Sequence, residues 1–215
     1  MTAADFFVRV QRAPFYEEMF RNAIERLPPG DGRRLLDVGS GPGLLTRLAA
    51  ARGYDATGID ADPDMIEAAH GIARKEGSRA AFRVGSAGEA SVGDQPFDVV
   101  MAASLLAVLP DRAAGIRTLW RLVAPGGILF IVEATDRITA RNANRLIAAG
   151  QISDGADVLR LWAAGREGQT VDPSLVEEID GIAGLTTHSL VHGLVAGWVI
   201  RRGAALDRSA TRCSP

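Results

Sequence analysis

The sequence predicts a doubly wound α/β fold: a seven-stranded, mostly parallel sheet with helices on both faces and an antiparallel C-terminal hairpin strand. Three observations carry this. From residue 35 to residue 132, short apolar runs alternate with stretches of helical period, the pattern of successive βαβ units. A glycine-rich turn, Gly39-Ser40-Gly41-Pro42-Gly43, joins the first run to the first helix of that series. Near the C-terminus, two apolar runs (185–192 and 194–200) are separated by little more than Gly193, as in a hairpin.

Taken in order, residues 3–27 form two helical pieces split at Pro14, which cannot continue an established helix. Tyr16, Met19, Phe20, Ala23 and Leu27 give the second piece an apolar stripe. Leu35 to Val38 is the first strand, and residues 44–52 are a helix with Leu44, Leu45, Leu48 and Ala49 on one face. Tyr54 to Ile59 is the second strand, closed by Asp60. Pro63 to Lys75 is a helix capped by Asp62, a side-chain acceptor placed before proline at the first helical position. Strands over 81–84 and 97–101, a helix over 111–122, a turn at Pro125-Gly126-Gly127 and a strand over 128–132 complete the alternation. Residues 137–168 read as helical and 173–182 as a further helix. The expected organisation is one domain over 1–203: a helical lid (1–30), a core (31–134), a helical segment (135–184) and the hairpin (185–202). A frayed tail, 204–215, follows.

Composition bounds the function. The chain has 215 residues, 47% apolar and 23% charged, a globular profile. Its net charge of −2 disfavours a protein that lives by binding phosphate backbones. Cys213 is the only cysteine, so neither an internal disulfide nor a cysteine-based metal site is expected, and a reducing compartment fits. No basic-then-apolar leader stands at the start. The longest apolar run, 99–109, is about half of what a membrane-spanning helix needs. The cytoplasm is the expected location.

The glycine turn is the most informative stretch. Glycines between a strand and a helix let the backbone turn tightly and approach a ligand closely, and the amides opening the helix point into the same crevice. The spacing here is G-x-G-x-G, preceded by Asp37. Leu44 stands where nicotinamide-dependent oxidoreductases carry their third glycine. An acid before the turn would repel a pyrophosphate and suits an ammonium group. Asp60, ending the second strand, can accept both hydroxyls of a ribose, which fits a nucleoside of either cofactor class.

Leu36 to Gly43 resembles motif I of the class I S-adenosylmethionine-dependent methyltransferases. Gly58 to Met65 resembles that family's following acidic motif, Phe97 to Ser104 its fourth-strand motif, and Leu122 to Gly127 the turn before its fifth strand. The likeness covers residues 33–134. It implies a Rossmann-like fold, S-adenosylmethionine as cofactor and S-adenosylhomocysteine as product. Carried over, it places the backbone around Gly39 and Gly41 against the methionine part and Asp37 at the amino group, with Ser40 and Gly43 of the same loop among the cofactor-binding residues. Asp60 falls at the ribose, Ala61 and Met65 beside the adenine, and Ala102 and Ser104 near the reactive end. Where the family often has an acid after the third strand, this chain has Ser86 and Ala87, so adenine contact falls to Ser86 or to backbone. Where many relatives carry a histidine after the fourth strand, it has Leu106-Ala107-Val108, which supplies no general base. The Asn/Asp-Pro-Pro-Tyr/Phe motif of amide and base N-methylation is absent.

The implied activity is direct SN2 methyl transfer to a small or medium organic acceptor, by a monomer or homodimer, with no metal and no nucleic-acid partner. Candidate acceptor contacts are Phe15 and Tyr16 in the N-terminal helices, Arg137 and Arg141 on a stripe that continues to Arg145, Trp162 or Arg166, and His188. The plainer readings are helix packing for the aromatics, a solvated face for the arginines and a surface or half-buried position for His188. His188 and His192 share strand parity at roughly 13 Å, too far apart to chelate one metal. A non-catalytic S-adenosylmethionine-binding regulator or partner subunit is the alternative of a different class.

Overall fold

The structure is a computed structural model, and residues 2–86, 95–177 and 179–204 are described. Ala87 and the tail beyond Ala204, two places where the sequence raises expectations, lie outside them. One seven-stranded sheet runs through the fold, in the order β3-β2-β1-β4-β5-β7-β6. Its strands are β1 (Arg34–Val38), β2 (Asp55–Asp60), β3 (Ala81–Val84), β4 (Phe97–Ala103), β5 (Val123–Ala134), β6 (Ile182–Leu190) and β7 (Val195–Arg202). β1 pairs in parallel with β2 and β4, β2 with β3, and β4 with β5. β7 runs antiparallel to both neighbours and is inserted between β5 and β6.

Strand side chains alternate between two cores, one on each face. Leu35, Val99, Met101, Ile128, Phe130 and Val132 pack on the face carrying the helices α1 (Ala3–Gln11), α2 (Pro14–Ile24), α3 (Leu44–Ala51), α6 (Ala140–Ala148) and α7 (Ala156–Arg166). Leu36, Val100, Ala102, Leu129 and Ile131 pack on the other, with α5 (Arg112–Leu122) and the short α8 (Ser174–Glu177). The central strands read as continuous apolar runs because both faces are covered. α4 (Pro63–Glu76) starts on Asp62, whose Oδ1 accepts the Asp64 N–H at 2.9 Å, and stops at Gly77 in the left-handed region. Among the described residues, no helix is long and apolar enough to cross a membrane.

Three expectations need correction. Pro125-Gly126-Gly127 is not a turn ahead of β5 but an irregularity inside it: pairing steps from Phe97–Val123 to Val99–Ile128, leaving the Pro-Gly-Gly segment to bulge. Gly127 is required there, since a Cβ would come 2.8 Å from the Asp98 carbonyl oxygen. Among the described residues of 173–182, the helix is the single turn α8, because Ile182 already starts β6. The hairpin turn is a 3-10 turn, Val191–Gly193, with Val191 and His192 at positive φ. His192 therefore lies off the strand and does not share a strand face with His188.

Candidate functional site

The carboxyl ends of β1, β2 and β4 meet at one rim, where the strand order reverses between β1 and β4. Ligands of doubly wound sheets bind at such a switch point. A cavity of about 380 Å³ opens there. The glycine loop crosses the end of β2, with the Gly39 and Ser40 N–H groups both donating to the Ile59 carbonyl at 2.8 and 3.0 Å. The Gly41 N–H donates to Asp60 Oδ2 at 2.8 Å, and the Asp62 N–H to Oδ1 at 3.0 Å. Asp60 thus braces the loop and the start of α4 while its half-exposed carboxylate faces the cavity. Each carboxylate oxygen has a further lone pair for a ligand hydroxyl.

Asp37 is buried, and the Thr46 hydroxyl donates to its Oδ2 at 2.6 Å. Burial pushes its carboxyl up to about 7; the Thr46 hydrogen bond opposes this and the Asp60 charge adds to it. A cation delivered by a ligand would hold Asp37 ionised. Ser40 Oγ is buried without a hydrogen-bond partner, in a residue that lines the cavity. A buried hydroxyl of that kind calls for a ligand atom.

The cavity brings together Asp37, Gly39, Ser40, Gly41, Asp60, Ala61, Met65, Ser86 and Ser104 with Tyr16. Other expected contacts lie elsewhere. Gly43 starts α3 at φ 83, against Phe82 rather than the cavity. Ala102 is fully buried on the α5 face, and its neighbour Ala103 lines the cavity instead. Phe15 and Trp162 pack on each other at 6.2 Å, one layer behind Tyr16, whose ring lies 5.3 Å from Trp162. Arg137 precedes the Thr139 cap of α6 and lies against Gly193, so the expected arginine stripe is not one helical face. Arg141 is exposed on α6. His188 is half-buried opposite Gly197, its pKa lowered by burial and by Arg26, and it does not line the cavity.

Phe7, Gln11 and Phe20 also line the cavity and carry no site assignment from the sequence. Phe7 and Gln11 form an i, i+4 pair on α1, and Phe20 stands four residues after the expected Tyr16 on α2, a spacing that is the available signal. The Gln11 side-chain oxygen Oε1 accepts the Leu44 N–H at 3.1 Å, fastening α1 to the first turn of α3. Leu105, Val108 and Leu109 add an apolar wall where the histidine of many relatives would stand.

Glu133 escapes the sequence reading altogether, although a lone acid in the apolar run 128–134 is a visible anomaly. It is 1% exposed; Oε1 accepts the Leu106 N–H at 2.7 Å and Oε2 has no partner. Burial pushes its carboxyl from the ordinary 4.5 up to about 7, opposed by the Leu106 amide and by Arg166. The folded state therefore holds this proton more tightly than the unfolded state. The contribution to stability is complete below about pH 4.5 and is lost as pH rises through about 7. Glu133→Gln keeps the acceptor for Leu106 and removes the charge. It should stabilise the protein by about 1–3 kcal/mol at pH 8 and change little at pH 5. Urea unfolding at the two pH values checks this; equal effects at both would contradict it.

The family described as "Methyltransferase domain" matches residues 35–127. The chain is similar to a ubiquinone biosynthesis O-methyltransferase of Azorhizobium caulinodans, 30% identical over 80% of this chain and 66% of that one. It is also similar to a trans-aconitate 2-methyltransferase of Methylobacterium radiotolerans, 34% identical over 74% of this chain and 62% of that one. The chain spans about half the length of the curated relatives it matches. Among solved structures, a magnesium protoporphyrin IX methyltransferase of Synechocystis superposes with a TM-score of 0.64 at 16% identity, covering 93% and 94% of the two chains. At that identity the likeness is one of fold.

Proposed function

Because this chain belongs to the class I S-adenosylmethionine-dependent methyltransferases, we propose that it transfers a methyl group from S-adenosylmethionine to a small or medium organic acceptor. One observation carries the cofactor assignment: a single cavity is bounded by the buried Asp37, the glycine loop and Asp60, with the Gly41 N–H donating to Asp60 at 2.8 Å. This arrangement presents a carboxylate for an ammonium group, a backbone cradle, and a second carboxylate for ribose hydroxyls. Ser40 Oγ supplies an unused polar atom between them, and Ala61 and Met65 supply apolar surface for the adenine.

When bound, the cofactor would supply a methyl group activated by its sulfonium for direct transfer to the acceptor's nucleophilic atom. The chain's own part is to bind, align and exclude water. Phe7, Tyr16 and Phe20 roof the cavity from α1 and α2, and Leu105 and Leu109 wall it from below α5. Tyr16 stays protonated at neutral pH, since burial pushes its hydroxyl up to about 12. It is a donor and not a base. Glu133 does not line the cavity. The acceptor is accordingly a nucleophile that reacts without a strong base from the protein: a thiolate, phenolate, carboxylate or neutral amine. The two relatives are named for different acceptors, one in ubiquinone biosynthesis and one trans-aconitate.

S-adenosylhomocysteine should bind, and NADH should not. Calorimetry with both ligands decides it: NADH binding without S-adenosylhomocysteine binding would defeat the assignment. Methyl transfer is then tested by mass spectrometry of products from a panel of phenols, thiols, carboxylates and amines.

A further inference from the structure

Arg166, the last residue of α7, is a lining residue that the cofactor assignment does not use. It is 7% exposed yet reaches the cavity beside Tyr16 and Ser104. A guanidinium carries five N–H donors in a planar fork. Among the described residues, its one hydrogen bond is a long contact of 3.4 Å to the Ser104 carbonyl. Among them it also makes no ion pair: the carboxylate whose field reaches it, Glu133, commits Oε1 to the Leu106 amide, and burial favours that group's neutral form. A buried guanidinium without a carboxylate is costly unless an anion completes it. Tyr16 adds a neutral O–H to the same cavity wall, which Ser104 also lines.

We propose that Arg166 and Tyr16 form a carboxylate-binding subsite of the cavity, separate from the glycine loop. The planar fork of Arg166 matches the two oxygens of a carboxylate. Two sources share this chemistry: the methionine carboxylate of the cofactor, and a carboxylate on the acceptor. Asp37, Tyr16 and Arg166 line the same cavity, so an acidic group and a guanidinium are both within it. That arrangement suits an α-amino acid zwitterion and favours the first source, which rests on the cofactor assignment above; the second source does not.

The test uses the full chain as native protein, Arg166→Gln and Tyr16→Phe, with melting temperatures to establish folding. Tyr16→Phe removes only a hydroxyl and guards against Arg166→Gln failing to fold. Calorimetry is run with S-adenosylhomocysteine and with methylthioadenosine, which keeps the adenosine and thioether but lacks the amino acid. For a cofactor carboxylate, Arg166→Gln should weaken S-adenosylhomocysteine by about 10–100-fold and Tyr16→Phe by about 3–10-fold. Methylthioadenosine should change by less than about 2-fold, and Arg166→Lys should recover part of the loss. A second arm measures benzoate, phenylacetate and succinate, each beside its methyl ester, with S-adenosylhomocysteine present. A carboxylate-over-ester preference that vanishes in Arg166→Gln, with S-adenosylhomocysteine unchanged, assigns the subsite to the acceptor.

The proposal is overturned if folded variants lose both adenosine ligands equally, or if they change neither S-adenosylhomocysteine binding nor any carboxylate preference. Failure of the native protein to bind either adenosine ligand defeats the cofactor assignment alone, and the carboxylate arm still reads the subsite.

Discussion

Asp60→Ala should weaken S-adenosylhomocysteine binding by about 2–4 kcal/mol, roughly 30- to 1,000-fold. Two ribose hydroxyls donating to a charged acceptor would contribute about 1.5–3 kcal/mol each, with incomplete additivity. The structure adds a second route to the loss. The same carboxylate accepts the Gly41 and Asp62 amides, so its removal also loosens the loop before any ligand arrives. Asp60→Asn keeps one acceptor oxygen and should fall between the native protein and the alanine variant. The fold should survive both changes, because Asp60 sits half-exposed at the sheet rim. Calorimetry paired with melting curves checks this. A folded Asp60→Ala with native affinity would remove Asp60 from the site.

Sequence and structure agree where a residue's role is local and disagree where it depends on the third dimension. Asp37, the loop glycines and Asp60 are legible because a strand-turn-helix joint fixes their positions within a few residues. The two-faced burial of β1, β4 and β5 is legible because an apolar run of strand length with no polar alternation has no face to offer water. Tyr16 and Arg166 come to one cavity from segments about 150 residues apart, and no periodicity links them. Phe15 and Trp162 look as suitable for a pocket as Tyr16. Only packing separates them, since they fill the layer behind it. The Pro125-Gly126-Gly127 segment is a backbone deviation in sequence and structure alike, but it lies inside the strand and not ahead of it, because a bulge and a turn use the same residues. The arginine stripe fails because the Thr139 cap starts α6 after Arg137.

Gly43 carries opposed expectations from sequence and from structure. As a cofactor contact, its substitution should chiefly cost binding. The structure makes it a packing position: φ is 83, and a Cβ would lie 2.4 Å from Phe82 Cε1 and 3.2 Å from Ala69 Cβ. Phe82 is buried in the small core between α4 and β3, so the ring cannot swing away freely. An L-residue in the left-handed region costs about 1–2 kcal/mol, and overpacking adds about 1–3 kcal/mol. Gly43→Ala should therefore destabilise the protein by about 2–5 kcal/mol and lower the melting temperature by roughly 5–15 °C. Affinity for S-adenosylhomocysteine, measured well below the melting transition, should change by no more than a few-fold. Phe82→Leu in the same chain should recover part of the overpacking loss but none of the backbone cost. The double variant should then be more stable than the sum of the single changes, the coupling expected of residues in contact. A Gly43→Ala protein that melts like the native one but no longer binds S-adenosylhomocysteine would restore the contact role and reject the packing one.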